Sequence, residues 1–162
     1  MIFVTLGTND KPFTRLIRAV EKAAEAGAIR DRVVVQSGFT QYESSVIEVF
    51  PYIDRDQFAD YMNQADLIIT HGGAGSIFTA LSLHKKILAA ARRKDLGEHV
   101  NDHQTQLLEA FEKEGYLIYM RDLEDISPYL EQALTFEPRP YASERDSMVN
   151  LIESWIDKNV TK

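Results

Sequence analysis

The sequence has no cysteine among its 162 residues, which excludes a disulfide framework and a metal site built from thiolates. It also has no apolar run that approaches the roughly 20 residues a helix needs to span a membrane. The first ten residues, MIFVTLGTND, contain neither the basic segment nor the long apolar segment of a signal peptide. These absences predict a soluble, cytoplasmic chain whose association with a membrane is peripheral or supplied by a partner.

Basic residues are outnumbered, with 18 Lys and Arg against 25 Asp and Glu and a formal net charge of −7. This balance argues against a nucleic-acid-binding function, because proteins bind phosphate backbones with clustered Lys and Arg. Basic residues do cluster at 85–86 and at 92–94. Each cluster is consistent with a solvated face, with an anionic ligand or with a membrane surface.

Short apolar segments alternate with segments of helical periodicity along the chain. The predicted strands are 2–6, 32–38, 45–53, 66–70, 86–91 and 116–120. Three helices are predicted in the first half of the chain: one from Phe13 to a stop near Gly27, one that begins at a cap formed by Asp54 and Gln57, and one over 76–84. Three more follow: one through 107–111 that ends at Gly115, one that begins at a cap at Ser127 followed by Pro128, and an amphipathic C-terminal helix over 141–160. Apolar strands between helices are typical of a mostly parallel sheet covered on both faces. We therefore predict one Rossmann-like α/β domain over 1–162.

The segment THGGAGS, residues 70–76, lies between a predicted strand and a predicted helix. Glycines let a ligand approach the backbone closely, and free N–H groups at a helix N-terminus attract anions. A phosphate or diphosphate is therefore the predicted ligand. The segment is not a Walker A loop, and Phe78 stands where the dinucleotide fingerprint has its third glycine. A tight strand-to-helix turn without a ligand is the alternative.

Two further loops follow predicted strands and would meet the glycine segment at the carboxyl edge of the sheet. Gly7 and Thr8 offer backbone N–H groups and a hydroxyl after the first strand. The long polar loop 91–106 carries candidates for hydrogen bonds to sugar and ribose hydroxyls: Glu98, Asn101, Asp102, His103 and Gln104. A helix cap with solvated charges is one alternative for this loop. A metal site at His99 and His103 is another, although no third ligand is evident.

Four segments together carry a resemblance to a known family. They are MIFVTLGTNDKPFTRLI, THGGAGSIFTAL, KKILAAARR and NDHQTQLLEAFEKEGY, and they span most of residues 1–130. Jointly they resemble the C-terminal, donor-binding domain of GT-B glycosyltransferases of the family-28 type. The chain is most similar to stand-alone donor-binding subunits of two-subunit UDP-sugar transferases. Those subunits act in dolichol-linked glycan synthesis and in bacterial exopolysaccharide and capsule synthesis.

The resemblance implies a role for each matching position. The nucleotide diphosphate would be held by Gly72, Gly73, Ala74, Gly75 and Ser76, with Gly7, Thr8 and His71 facing it. Asn101, Asp102, His103 and Gln104 would contact the donor sugar, and Arg92 and Arg93 could add positive charge near the phosphates. Relatives often carry a glutamate that holds the ribose where this sequence has Thr79. The ribose would then be held differently, and Glu98 is the candidate.

The implied function is the transfer of a sugar from a UDP-sugar to a polyprenyl-diphosphate-linked acceptor, with inversion and without a metal or other cofactor. A complete GT-B enzyme has two domains of this kind, and this chain has room for one. A membrane-anchored partner subunit is therefore expected to bring the acceptor and the general base; self-association is a further option. The competing hypotheses are a non-catalytic nucleotide-sugar-binding module and an unrelated α/β phosphotransferase.

Overall fold

The computed structural model describes residues 1–141 and Ile152. The strands are β1 (Ile2–Thr5), β2 (Val33–Gln36), β3 (Glu48–Phe50), β4 (Leu67–His71), β5 (Lys86–Ala90) and β6 (Ile118–Tyr119). The helices are α1 (Thr14–Glu25), α2 (Arg55–Gln64), α3 (Ala74–Ser82), α4 (His103–Lys113) and α5 (Ser127–Thr135), with a 3-10 turn at Lys94–Leu96. The six strands form one parallel sheet in the order β3-β2-β1-β4-β5-β6. The predicted fold class is confirmed.

The sheet is buried on both faces, as the apolar strands predicted. Alternate side chains of one strand enter two separate cores, because successive residues of a strand point to opposite faces. In β1, Phe3 packs into the core beneath α2, α3 and α4, whereas Val4 packs into the core beneath α1 and α5. All four residues of β1 and all four of β2 are buried, whereas β3, at the sheet edge, is largely exposed.

Helix starts were predicted with mixed success. The cap of α2 is confirmed, since the Asp54 side chain accepts a hydrogen bond from the Gln57 N–H at 2.8 Å. The predicted cap at Ser127 is wrong by one position, because Ser127 is already helical and makes no side-chain cap. Its N–H is instead accepted by the Asp125 side chain at 2.9 Å. Pro128 lies in the first turn, where its missing N–H needs no partner.

The strand order reverses direction between β1 and β4, and ligands of open α/β sheets bind at such a point, beyond the carboxyl ends of the strands. The loops after β1, β2, β4 and β5 therefore form the edge that matters for function. Within residues 1–141 and Ile152, no helix is both long enough and apolar enough to cross a bilayer. The helix predicted over 141–160 lies outside the described residues, apart from its first residue and helical Ile152.

Candidate active site at the carboxyl edge of the sheet

A cavity of about 420 Å³ opens at the carboxyl edge of the sheet, between the loops after β1 and β4. It is lined by Thr5, Gly7, Thr8, Gln36, Phe58, His71, Gly73, Gly75, Ser76 and Thr79. A larger cavity of about 530 Å³ lies at the opposite edge, where Ile2, Leu67 and Lys86 begin their strands beside α5. The smaller cavity is the better candidate for the active site. Of the two cavities, it is the one lined by glycine loops, a helix N-terminus and a buried histidine.

The N-terminus of α3 supplies the first wall of this cavity. Gly73 precedes the helix in an extended conformation, and among the described residues no side chain caps the first turn. The first N–H groups of a helix have no partner within the helix, and together they carry a partial positive charge. An uncapped first turn beside a cavity is suited to bind an anionic oxygen. The helix begins two residues earlier than predicted, at Ala74, so Ala74, Gly75 and Ser76 all lie in this turn.

His71, the last residue of β4, separates the two glycine loops. Its ring occupies the space that a side chain would need at either loop: a Cβ on Gly7 would lie 2.5 Å from Nε2, and a Cβ on Gly73 would lie 2.1 Å from the same atom. Gly7 also has a positive φ of 69°, which favours glycine. The imidazole therefore fixes the spacing between the β1 loop and the N-terminus of α3.

The hydrogen bonds of His71 define its tautomer. The Thr70 hydroxyl donates to the Thr5 carbonyl at 3.1 Å, and His71 Nδ1 lies 3.3 Å from that hydroxyl oxygen and 3.4 Å from that carbonyl. The Thr5 carbonyl can only accept, and the Thr70 hydroxyl already donates its proton to that carbonyl, so we assign the proton to Nδ1 and the lone pair to Nε2. Burial, followed by the positive charge of Arg92, lowers the pKa of His71 to about 4. The imidazole is therefore neutral at pH 7.

The lowered pKa of His71 predicts an acid-sensitive fold. Below pH 6.5 the unfolded chain binds a proton at this residue and the folded chain does not, so the free energy of unfolding falls as the pH falls toward 4. Between pH 7 and pH 5 we expect His71 to account for a loss of about 2 kcal/mol. Urea unfolding at both pH values measures the loss. His71→Gln should flatten the dependence, and His84→Asn, at an exposed site, should not; an unchanged slope in His71→Gln would refute the assignment.

Arg92 is buried behind the site, not in it. Its guanidinium donates to the carbonyls of Leu6 at 2.8 Å and Lys11 at 2.5 Å, and more weakly to that of Glu98 at 3.4 Å. The side chain is 1% exposed and lies over the Phe13 ring. Arg92 thus connects the β1 loop to the loop after β5. Its positive charge acts on the cavity indirectly, because it helps to lower the pKa of His71.

Glu98 and Arg93 are engaged within the loop 91–102. Both carboxylate oxygens of Glu98 accept from the Arg15 guanidinium at 2.9 Å, and one also accepts from the Arg93 N–H. Glu98 is 7% exposed and does not line the cavity. The Arg93 side chain is exposed and pairs with Asp95. These contacts give Glu98 a structural role in the loop, and its contact with the ribose stays a prediction.

The segment 101–104 contains the start of α4 and packs against the glycine loop. Asn101 accepts from the His103 N–H, and Asp102 accepts from the Lys94 N–H. Gln104 accepts from the Arg92 N–H at 3.0 Å, and a Cβ on Gly72 would lie 2.6 Å from Gln104 Cβ. Within the described part of the chain, no three His, Asp or Glu side chains are grouped to hold a metal ion. Sugar contacts by this segment and metal-free chemistry stay predictions.

The structure thus brings Gly7, Thr8, His71, Gly73, Gly75 and Ser76 together around one cavity. Thr79 also lines it, one helical turn further on, with its hydroxyl donating back to the Gly75 carbonyl at 2.9 Å. Sequence reasoning missed Thr5, Gln36 and Phe58. The signal for Gln36 was a polar residue at the end of the run VVVQ, where a fully buried strand would otherwise continue apolar.

Comparisons with known proteins give a consistent result. The family model described as Glycosyltransferase family 28 C-terminal domain matches residues 1–158. The human protein named UDP-N-acetylglucosamine transferase subunit ALG13 is 31% identical over 130 residues, which are 73% of this chain and 11% of that protein. A Clostridium kluyveri protein is 32% identical over 106 residues, 64% of this chain and 26% of that protein. It is named UDP-N-acetylglucosamine--N-acetylmuramyl-(pentapeptide) pyrophosphoryl-undecaprenol N-acetylglucosamine transferase.

Solved structures show the same fold. An NMR structure of ALG13 superposes with a TM-score of 0.62 at 21% identity, covering 93% of both chains. A crystal structure of Acinetobacter baumannii MurG superposes with a TM-score of 0.56 at 18% identity, covering 82% of this chain and 40% of that chain. This chain therefore spans a minor part of these two curated relatives and of the MurG chain.

Proposed function

Because the chain belongs to the glycosyltransferase family 28 C-terminal domain family, we propose that it is the donor-binding subunit of a UDP-sugar-dependent glycosyltransferase. UDP-N-acetylglucosamine is the first candidate donor, since both relatives described above are named for transfer of that sugar. The acceptor is a polyprenyl-diphosphate-linked glycan, as the name of the Clostridium kluyveri relative indicates for that protein. The observation that carries the proposal is the uncapped N-terminus of α3, which faces the same cavity as Gly7 and His71.

The proposed reaction is a displacement at the anomeric carbon of the donor sugar. The acceptor hydroxyl attacks with inversion and gives its proton to a general base that the partner subunit supplies, and UDP leaves with the electron pair of the broken bond. The N–H groups and dipole of α3 stabilise the negative charge that develops on the departing diphosphate, and the narrow loop fixed by His71 positions it. A neutral His71 adds no positive charge of its own. Protein groups thus take the place that a metal ion holds in other transferases.

We further propose that a partner subunit completes the active site. The chain aligns with 40% of the MurG chain, and the cavity lining within the described residues contains no Asp, Glu or Lys, while the ring of its one histidine is packed between Gly7 and Gly73. Exposed apolar side chains occur in the loops of the same sheet edge. Phe39 and Tyr52 are each more than half exposed with their rings 6.0 Å apart, and Val100 is 67% exposed. A membrane-anchored acceptor-binding partner would cover them and keep the complex at the cytoplasmic face.

Ligand-induced stabilisation tests the donor-binding proposal. At a concentration of about a hundred times its dissociation constant, UDP or UDP-N-acetylglucosamine is expected to stabilise the chain by about 2.7 kcal/mol. This stabilisation raises the Tm by roughly 5–10 °C. UDP-glucose, UDP-galactose and UDP-glucuronate compare the sugars, and uridine serves as the control without phosphate. The absence of a shift with every UDP compound, for the chain alone and for its complex with the acceptor-binding partner, would refute the proposal.

A non-catalytic nucleotide-sugar-binding module is the second candidate. Thr79 favours it, because the position where relatives carry a ribose-binding glutamate has a hydroxyl that donates to its own helix. The two candidates differ in turnover. Release of UDP from a UDP-sugar, measured with the acceptor-binding partner and a short polyprenyl-diphosphate acceptor, supports the transferase; binding without release in every combination supports the module.

A further inference from the structure

Three polar residues lie side by side across the sheet beneath the cavity. Gln36 in β2 is paired in register with Thr5 in β1, which is paired in turn with Thr70 in β4. Each lies two positions after an apolar residue that belongs to the core under α2 and α3; these apolar residues are Val34, Phe3 and Ile68. The side-chain alternation of a strand therefore places all three on that face. All are buried, with 8%, 1% and 0% of their surface exposed.

The two threonines are accounted for by contacts within the protein. The Thr70 hydroxyl donates to the Thr5 carbonyl at 3.1 Å, and the Thr5 hydroxyl oxygen lies 3.5 Å from the Gly7 N–H. Gln36 differs, because its Oε1 is buried and accepts from no donor in the part of the chain that the structure describes. An unpartnered buried carbonyl oxygen destabilises a fold, so such a group calls for an explanation.

A ligand provides that explanation. Gln36 lines the same cavity as the N-terminus of α3, on the side of α2. An amide oxygen accepts hydrogen bonds and is repelled by phosphate oxygens, so it does not suit the diphosphate. Its partner must carry an O–H or N–H donor. Phe58, which packs edge to face on Phe3 at 5.4 Å, lines this side of the cavity and offers an aromatic wall for a flat ring.

We infer that the Gln36 amide turns its oxygen toward the cavity and binds the nucleoside part of the donor nucleotide, accepting a hydrogen bond from a ribose hydroxyl or from the imide N–H of a pyrimidine base. The inference rests on the proposed function, whose diphosphate site at α3 fixes where the nucleoside begins. The nucleoside then lies between α2 and α3, with Gln36 beneath it. Gln36 supplies a nucleoside contact in a site where Glu98 is held by Arg15.

Gln36→Leu tests the assignment, since leucine fills the site without the amide. We expect the affinity for UDP to fall about tenfold, while the affinity for inorganic pyrophosphate stays the same. The Tm of the unliganded variant should equal or exceed that of the native chain, because the unpartnered oxygen is removed. Gln64→Leu, at an exposed position of α2, is the matched control and should leave both affinities unchanged. Isothermal titration calorimetry measures both ligands.

Modified nucleotides identify which group of the nucleoside donates the hydrogen bond to Gln36. 2′-Deoxy-UDP, 3′-deoxy-UDP and N3-methyl-UDP each lack one donor, and the compound that lacks the relevant donor should bind the native chain and Gln36→Leu equally well. Equal UDP affinity of the two proteins, or an equal loss of pyrophosphate affinity, would overturn the inference while leaving the proposed function intact. Failure of the native chain to bind either UDP or pyrophosphate, both alone and in complex with the acceptor-binding partner, would overturn both.

Discussion

Gly73→Ala is expected to weaken UDP binding strongly and to destabilise the unliganded chain. The backbone of Gly73, at φ −79° and ψ 125°, accepts an alanine without strain, so the effect comes from the methyl group alone. That methyl would lie 2.1 Å from His71 Nε2, well inside contact distance, and the ring is enclosed on its other side by Gly7. Overpacking of this kind destabilises a protein by about 1–3 kcal/mol. Displacement of the first N–H groups of α3 should weaken UDP binding roughly a hundredfold or more.

Two further variants test whether the clash between the Gly73 methyl and the His71 ring causes the loss of stability. Gly75→Ala adds the same methyl to the same helix with no atom within 4 Å, and it should stabilise the unliganded chain by about 1 kcal/mol through helix propensity. His71→Ala removes the ring that the Gly73 methyl meets. If the clash is the cause, Gly73→Ala should cost less stability in the His71→Ala background than alone. Additive losses in the double variant, measured by urea unfolding, would show that the methyl acts in some other way.

The parallel sheet could be predicted because its signal is local. The strands β1, β2, β4 and β5 are short runs of apolar residues, and burial on both faces removes the alternation that an exposed strand would show. The weakest predictions fall where that signal fades. The edge strand β3 has three residues of a predicted nine, and β6 has two of a predicted five. Pairing with a single neighbour, not composition, limits both.

The glycine loops of the site were predictable for the same reason, since each directly follows a buried strand. The roles of Arg92 and Glu98 were not, because they depend on contacts between residues far apart in sequence. Glu98 pairs with Arg15, 83 positions away, and Arg92 reaches Leu6, 86 positions away. A charged residue in a loop near a phosphate site looks like a ligand-binding residue until its partner is known. Long-range pairing therefore gives both residues a structural role in the loops that their position in the sequence does not reveal.

Arg92→Met is expected to cause a large loss of stability together with a loss of UDP affinity. Methionine retains much of the apolar volume over Phe13 but leaves the carbonyls of Leu6, Lys11 and Glu98 without their shared donor. Buried acceptors left without partners cost about 1–3 kcal/mol each, so a loss of about 3 kcal/mol or more is expected. For a chain of this size that corresponds to a fall in Tm of roughly 10 °C.

The neighbouring arginine makes the comparison decisive. Arg93→Met changes the same kind of side chain one position away, but Arg93 is 51% exposed and its ion pair is with nearby Asp95, so stability should change by less than about 0.5 kcal/mol. Because Leu6 and Lys11 flank Gly7 and Thr8, loosening their loop should also lower UDP affinity in Arg92→Met, even though Arg92 does not line the cavity. Equal Tm values for the two variants would refute the bracing role. Lost UDP binding at unchanged Tm would instead place the Arg92 charge in direct contact with the phosphates.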